Sequence, residues 1–600
     1  MCVRQNGGQM NVLKGKGEPY PLGAIADREG VNFAIALPDA EQVELVLEHK
    51  DKDLKQSFDI SDNKFGDVFF VKVQGVPEQV TYYYLVDGRE VVDPYAKMIY
   101  GKEVWGEEPQ AVKGGILQEI SCKRSQKRKP LNETIIYRMH VRGFTKTAKG
   151  KYPGTFAGII EKIPYLKELG ITLVELMPAY DFDEVAVQKR MSADETAGIN
   201  YWGYTGGNYF VPKTSYSAVG TGEGVAAEFR ELVEALHKNE LELGMEFYFA
   251  QDVTPIFALD CLKHWVLQYG IDAVHLSCDE RIVRLALDEP LFGDIKIFSN
   301  CYLEPMAECA QKHIACYQES FLVNGRQFLK GDEDKLATMR YELMKHPTHI
   351  GIINYMANHN TFTLYDTVSY DRKYNEGNGE QNRDGTDYNY SWNCGEEGET
   401  NKKSILTLRK KQIKNALAML FLAQGVPMLM AGDEFANTQY GNNNPYNQDN
   451  ETSWLDWKHN KFQKEILEFT KKLIRFRRQQ SVFHMNVEPK GEDYRELGLP
   501  DVSYHGETAW EFDKNPTNRH FAVLYNGAYG EPQQAARYYV AYNMHWEQKS
   551  FGIPSIKQNE TWEPVFTTAE QLAYDGEKTL TLAGRSMAVF VSKCKEETEL

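Results

Sequence analysis

The stretch GIIEKIPYLKELGITLVELMP, Gly158–Pro178, sets an amphipathic segment directly against a short apolar run. That pairing recurs on both sides of it. IIYRMHV (Ile135–Val141) precedes it, and EFRELVEALHK, MEFYFA, LDCLKHWVLQYG, IDAVHLS, IKIFSN, HIGIINYMANH, ILTLRKKQIKNALAMLFLAQG, VPMLMAG and KEILEFTKKLIRFRRQQ follow in order. Strand and helix alternating over this length predict a parallel (β/α)8 TIM barrel across residues 135–487.

Both flanks read differently. VNFAIAL, QVELVLE, DVFFVKV and VTYYYLV alternate between Gly, Pro and Asp turns, which predicts an N-terminal β-sandwich within residues 1–115. The polar, basic CKRSQKRKPLNE lies in a predicted solvated linker, residues 116–134. RYYVAYNMHW and TLTLAGRSMAVFVS predict a C-terminal β-sandwich over residues 488–600. A chain of 600 residues exceeds what one core can organise, so a multidomain fold of sandwich, barrel and sandwich is expected.

Composition narrows the function. A net charge of -17 opposes nucleic acid and anionic lipid, both polyanions, and is indifferent to a neutral polymer. Nine scattered cysteines without a CxxC pair argue against a disulfide framework and a structural zinc site, so neither metal nor cofactor is expected. The absence of a signal-like start and of a membrane-length apolar run predicts a cytoplasmic protein. With 35 tyrosines the surface suits sugar rings, which stack on aromatic faces.

Longer strings carry a family resemblance. PLGAIADREGVNFAIALPDAEQVEL, DPYAKMIYG, YRMHVRGFT, GITLVELMPAYDF, NYWGYTGGNYFVP, NEGNGEQNRDG, SWNCGEEG and GVPMLMAGDEFANTQYGNNNPYNQDNETSWLDW resemble the isoamylase, type I pullulanase and glycogen-debranching branch of glycoside hydrolase family 13. The first of them resembles carbohydrate-binding module family 48. The resemblance implies cleavage of α-1,6 branch points by a carboxylate nucleophile and a protonated acid about 5 Å apart at the C-terminal ends of barrel strands.

Those groups are missing where the resemblance puts them. The family's nucleophile strand reads approximately GFRFDLA; GIDAVHLSC (Gly270–Cys278) places His275 at its arginine and Ser277 at its nucleophile. LIAEPW becomes IKIFSNCYLEP, with Asn300 at the acid, and HDGFTL becomes HNTFTL, with Asn360 at the hydroxyl-binding aspartate. GMEFYFAQDVTP offers Ala250, Thr254 and Pro255 where DVVYNHT carries its aspartate, asparagine and histidine, and the loop domain after strand 3 is shortened. A serine needs a base to attack and an amide delivers no proton at neutral pH. No catalytic residue is therefore expected, and losing a central group costs on the order of a million-fold in rate.

The resemblance assigns Tyr204 to stacking on the sugar before the cut and His359 to a hydroxyl contact; with Asn360 and Trp202 they form the expected substrate-binding set. Trp202 and Trp454 read equally as packing anchors. Three functions follow: a non-hydrolytic protein that binds α-glucan (glycogen or maltooligosaccharide) or partners an active paralogue or its own copy; an active α-1,6-glucosidase with acids relocated to Asp252, Asp279, Glu280 or Glu304; and an interaction scaffold without sugar affinity.

Overall fold

The computed structural model describes residues 10–109, 111–118, 128–185, 198–300, 313–346, 350–555, 560–576 and 578–594. Two antiparallel sheets open the chain. One runs Leu13–Gly15, Val68–Gln74, Val31–Ala36, Gly23–Ala26; the other runs Ile99–Tyr100, Lys113–Gly115, Val80–Val86, Val43–His49, Lys55–Asp59. The predicted sandwich follows from their alternation: Phe33, Leu45, Leu47, Val71, Tyr82 and Tyr84 meet in one core.

Eight parallel strands then close a barrel: β1 (Ile136–Met139), β2 (Leu173–Leu176), β3 (Glu242–Tyr248), β4 (Ala273–Ser277), β5 (Lys296–Ser299), β6 (Ile314–Tyr317), β7 (Gly351–Asn354) and β8 (Val426–Met430). Helix α1, Phe156–Leu169, shows how local chemistry sets these units. Thr155 caps it by accepting from the Gly158 amide at 3.2 Å, and Phe156, Ile159, Ile163, Leu166 and Leu169 repeat on one buried face. Burying each such side chain is worth about 1.5–3 kcal/mol. Gly170 ends the helix with φ of 92°, where a Cβ would stand 2.9 Å from Ile474 Cγ2.

One layer of the barrel interior is apolar: Ile136, Leu173, Ala273, Phe298, Ala315, Ile353 and Val426 belong to a single buried cluster. Side chains on a strand return to the same face every second residue. The next inward positions toward the C-terminal face are therefore Arg138, Glu175, His275, Asn300 and Tyr317. A C-terminal five-stranded sheet (Val502–His505, His520–Asn526, Arg537–Asn543, Ser586–Cys594, Glu560–Thr567) packs on a three-stranded one, giving the expected second sandwich with Leu524, Tyr539, Phe551, Leu580 and Phe590 between them.

One expectation needs correction. The basic stretch, expected to be a solvated linker over residues 116–134, is packed at its end; residues 119–127 of it lie outside the described residues. Arg128 Nη1 pairs with the buried Asp272 at 2.8 Å, and Leu131 is buried against the barrel interior. An uncompensated Asp272 would be costly there, which is what a basic residue before β1 prevents. Among the described residues no helix is long and apolar enough to cross a membrane.

Candidate functional site

Arg138 of β1 stands at the centre of the inward layer. Its Nη1 donates to Glu175 Oε1 at 2.8 Å, and its Nη2 bonds Glu246 Oε2 and reaches the Tyr204 hydroxyl at 2.9 Å. Strand register brings these groups together, since Arg138 lies beside Glu175 and Glu246 beside His275. Tyr204 also donates to Glu246 Oε2 at 2.7 Å, and Tyr317 donates to Glu175 Oε2 at 2.6 Å. All three charged groups are at most 1% exposed.

The electrostatics are those of a closed network. Burial alone would raise the Glu175 carboxyl, but His275, Arg138 and the Tyr317 hydroxyl outweigh it and hold Glu175 below the usual carboxylate range. Arg138 moves up despite burial because Glu246, Tyr204 and Glu175 surround it. Burial, and then the positive charge of Arg138, pushes His359 well below the ordinary histidine range. Glu175, Glu246 and His275 present ligand atoms all within 4.8 Å of one another, a spacing that suits a metal ion. The Arg138 guanidinium bonds both carboxylates and fills the cation's place.

At the positions singled out by the resemblance, polar groups bond to each other. His275 Nδ1 lies 2.9 Å from Glu175 Oε1 and 3.1 Å from Arg138 Nη1, and its ring stacks on Tyr317 with centroids 4.5 Å apart. His275 Nε2 meets Asn300 Oδ1 at 3.1 Å, and Asn300 Nδ2 donates to Ser277 Oγ at 3.4 Å. Asn300 thus stands between the serine and the histidine, a bridge that leaves Ser277 without an adjacent base. Ala250 and Thr254 belong to the short connection after β3. Thr254 caps helix α2 (Pro255–His264) through the Phe257 amide, and Pro255 is the helix's first residue.

Tyr204, His359 and Trp202 do come together. The Tyr204 ring stacks on His359 at 5.0 Å, and Trp202 meets the same imidazole edge-on at 4.7 Å. Trp202 is nevertheless buried with Met177 and Tyr201, with Trp454 packed against them. Asn360 is exposed. The Asn-rich loops tie themselves together: Asn375 Nδ2 donates to Asn443 Oδ1 at 2.9 Å, and Asn443 Nδ2 to Asn389 Oδ1 at 2.7 Å.

Of the carboxylates considered as substitutes, Asp252 is exposed, Asp279 caps helix α3 (Glu280–Asp288) while binding Arg281, and Glu280 pairs with Arg284 one turn on. Glu304 lies outside the described residues. The acidic pair in the barrel is instead Glu175 and Glu246, which the sequence reading passed over. The signal was a single charge set within each of the apolar runs ITLVELMP, MEFYFA and IIYRMHV.

A retaining glycosidase needs one carboxyl that stays ionised and one that carries a proton to the leaving oxygen. Glu175 is held ionised with both oxygens engaged, Glu246 is bound to the guanidinium, and neither faces solvent. As arranged, the pair binds a cation.

Residues 21–96 match carbohydrate-binding module 48, the isoamylase N-terminal domain. Over 592 residues the chain is 30% identical to the glycogen operon protein GlgX homolog of Haemophilus influenzae, covering 77% of this chain and 84% of that protein. It is 29% identical over 705 residues to chloroplastic isoamylase 1 of Oryza sativa subsp. japonica, covering 95% and 84%. In fold it is similar to a pullulanase from Bacillus acidopullulyticus (TM-score 0.70, 19% identity, 95% of this chain and 75% of that one).

Proposed function

The chain belongs to the isoamylase and glycogen-debranching group of glycoside hydrolase family 13, and from that premise we propose that it has given up hydrolysis and acts as a cytoplasmic α-glucan-binding protein or as the regulatory partner of an active enzyme. The observation that carries this reading is the double pairing of Arg138 with Glu175 and Glu246, which removes the barrel's axial carboxylates from acid–base work. The bridge from His275 through Asn300 to Ser277 supports it, since alcohol and amide groups neither attack an anomeric carbon nor protonate a glycosidic oxygen at neutral pH. Tyr204 and His359 beside Asn360 leave a polar, aromatic rim on which a glucan could rest.

The test is incubation with glycogen and with pullulan followed by a reducing-end assay, together with electrophoresis through glycogen-containing gels. We expect retardation in the gel and no new reducing ends. Turnover abolished by Glu175→Gln or Glu246→Gln would favour the second reading, an α-1,6-glucosidase using that pair. That reading has one observation behind it, the closeness of their oxygens within 4.8 Å. A protein that is not retarded but captures an active paralogue or a second copy of itself acts only as a partner.

A further inference from the structure

Two neighbouring helices of the barrel, α4 (Lys403–Leu422) and α5 (Lys461–Gln479), leave an open groove of about 600 Å³ between them. Lys414 lines it from α4, and Lys461, Lys464, Phe469 and Lys472 line it from α5 together with Glu465 and Glu468. A chain of net charge -17 thus gathers four lysines at one place. The two glutamates do not balance them. Glu465 is paired with Lys410, and Glu468 accepts from Lys471 at 2.9 Å, whereas the four lining lysines form no ion pair among the described residues.

This arrangement opposes itself. Burial, and then the positive charges of Lys410 and Lys472, outweigh Glu465 and pull the Lys414 ammonium below the ordinary lysine range. Lys410 and Lys414 stand one turn apart on α4, where like charges repel. Lys461 and Lys464 open α5 at the positive end of its dipole, with no acidic residue in that turn to offset them. The capping box already satisfies the amides of Asn460 and Gln463, so an anion arriving there meets ammonium groups before backbone. Between the lysines lies an apolar floor: Phe469 is half-buried, held edge-on by Phe566 at 5.8 Å, with Lys414 Nζ 5.3 Å from its ring centre.

We propose that this groove binds a small molecule carrying a run of phosphoryl groups, which Lys414, Lys461, Lys464 and Lys472 hold as point charges. Lys464 and Lys472 are two turns apart, about 12 Å of helix axis, so their flexible side chains can close on such a run from both ends. At that range the local cations outweigh the net charge of the distant surface, which salt screens beyond about 8 Å. The site is independent of the barrel mouth and of any glucan bound there. The phosphoryl run can belong to a nucleoside triphosphate, whose base would rest on Phe469, or to inorganic polyphosphate.

Calorimetric titration in magnesium-free buffer with adenosine triphosphate, inorganic tripolyphosphate and adenosine tests it. Wild type should bind both phosphates and not adenosine; tighter binding of the nucleotide assigns the site to nucleotides, and equal binding assigns it to the bare phosphate chain. Lys464→Gln/Lys472→Gln, both exposed positions, should raise Kd at least about tenfold, and Lys414→Met, which keeps the stem over Phe469, at least about threefold. Lys52→Gln/Lys514→Gln makes the same change in net charge away from the groove and should stay within about twofold. The proposal is overturned if wild type binds neither phosphate, if the groove variants bind like wild type, or if the control pair weakens binding as much as the groove pair.

Discussion

Arg138→Met removes the one guanidinium that, among the described residues, touches Glu175 and Glu246, while keeping much of its volume. Two carboxylates at most 1% exposed would then share a pocket with no cation bonded between them. Stripping one partner from a buried ion pair costs about 3–5 kcal/mol, because the desolvated charge left behind has nothing to offset it. Replacing all three members with neutral groups of similar size removes that penalty. We therefore expect Glu175→Gln/Arg138→Met/Glu246→Gln to lie within about 1–2 kcal/mol of wild type. The assay is urea unfolding at neutral pH followed by tryptophan fluorescence, compared at equal m-value. If Arg138→Met stays within about 1 kcal/mol of wild type, or the triple variant falls as far as the single one, the network is not held by charge neutralisation.

Asp433 should respond to pH in a defined direction. Burial pushes its pKa up to about 7, so the folded state holds a proton that the unfolded chain has lost above pH 4, and stability declines as pH rises from there through 7. Asp433→Asn should therefore melt higher than wild type at pH 8, by roughly 3–4 kcal/mol in stability, and no higher at pH 4; equal gains at both would refute the assignment. His140 works the other way, since burial lowers it to about 4; its contribution is intact above pH 6.5 and lost as pH falls toward 4, visible as a falling Tm. Gly170→Val should cost about 2 kcal/mol or more in denaturant unfolding, because φ is 92° and Ile474 is 2.9 Å from the new Cβ. Ser277→Asp/Asn300→Glu should release no reducing ends from pullulan, because Asn360 and the truncated connection after β3 are unchanged; measurable turnover would show that the rest of the cleft is still competent.

The barrel was legible because each helix and strand announces itself locally, Thr155 and Gly170 bounding α1 and apolar runs marking the strands. The Arg138 network was not. Arg138, Glu175 and Glu246 lie far apart in sequence, and period-two alternation says which face a side chain takes without saying which residue stands opposite. Only parallel register makes Arg138 a neighbour of Glu175, and Glu246 of His275. Family resemblance drew attention to β4, β5 and β7 and so to His275 and Asn300 of this layer, while its charged members Arg138, Glu175 and Glu246 stand on β1, β2 and β3. The end of the basic stretch misled for a similar reason, since Arg128 meets Asp272 only across 144 positions.

A centre bonded to β1, β2, β3, β4 and β6 behaves like the hub of a wheel. Here the same region is spent on cross-bracing, so no single stave can loosen without breaking bonds to the others. Amide protons on those five strands should consequently exchange only when the whole barrel opens.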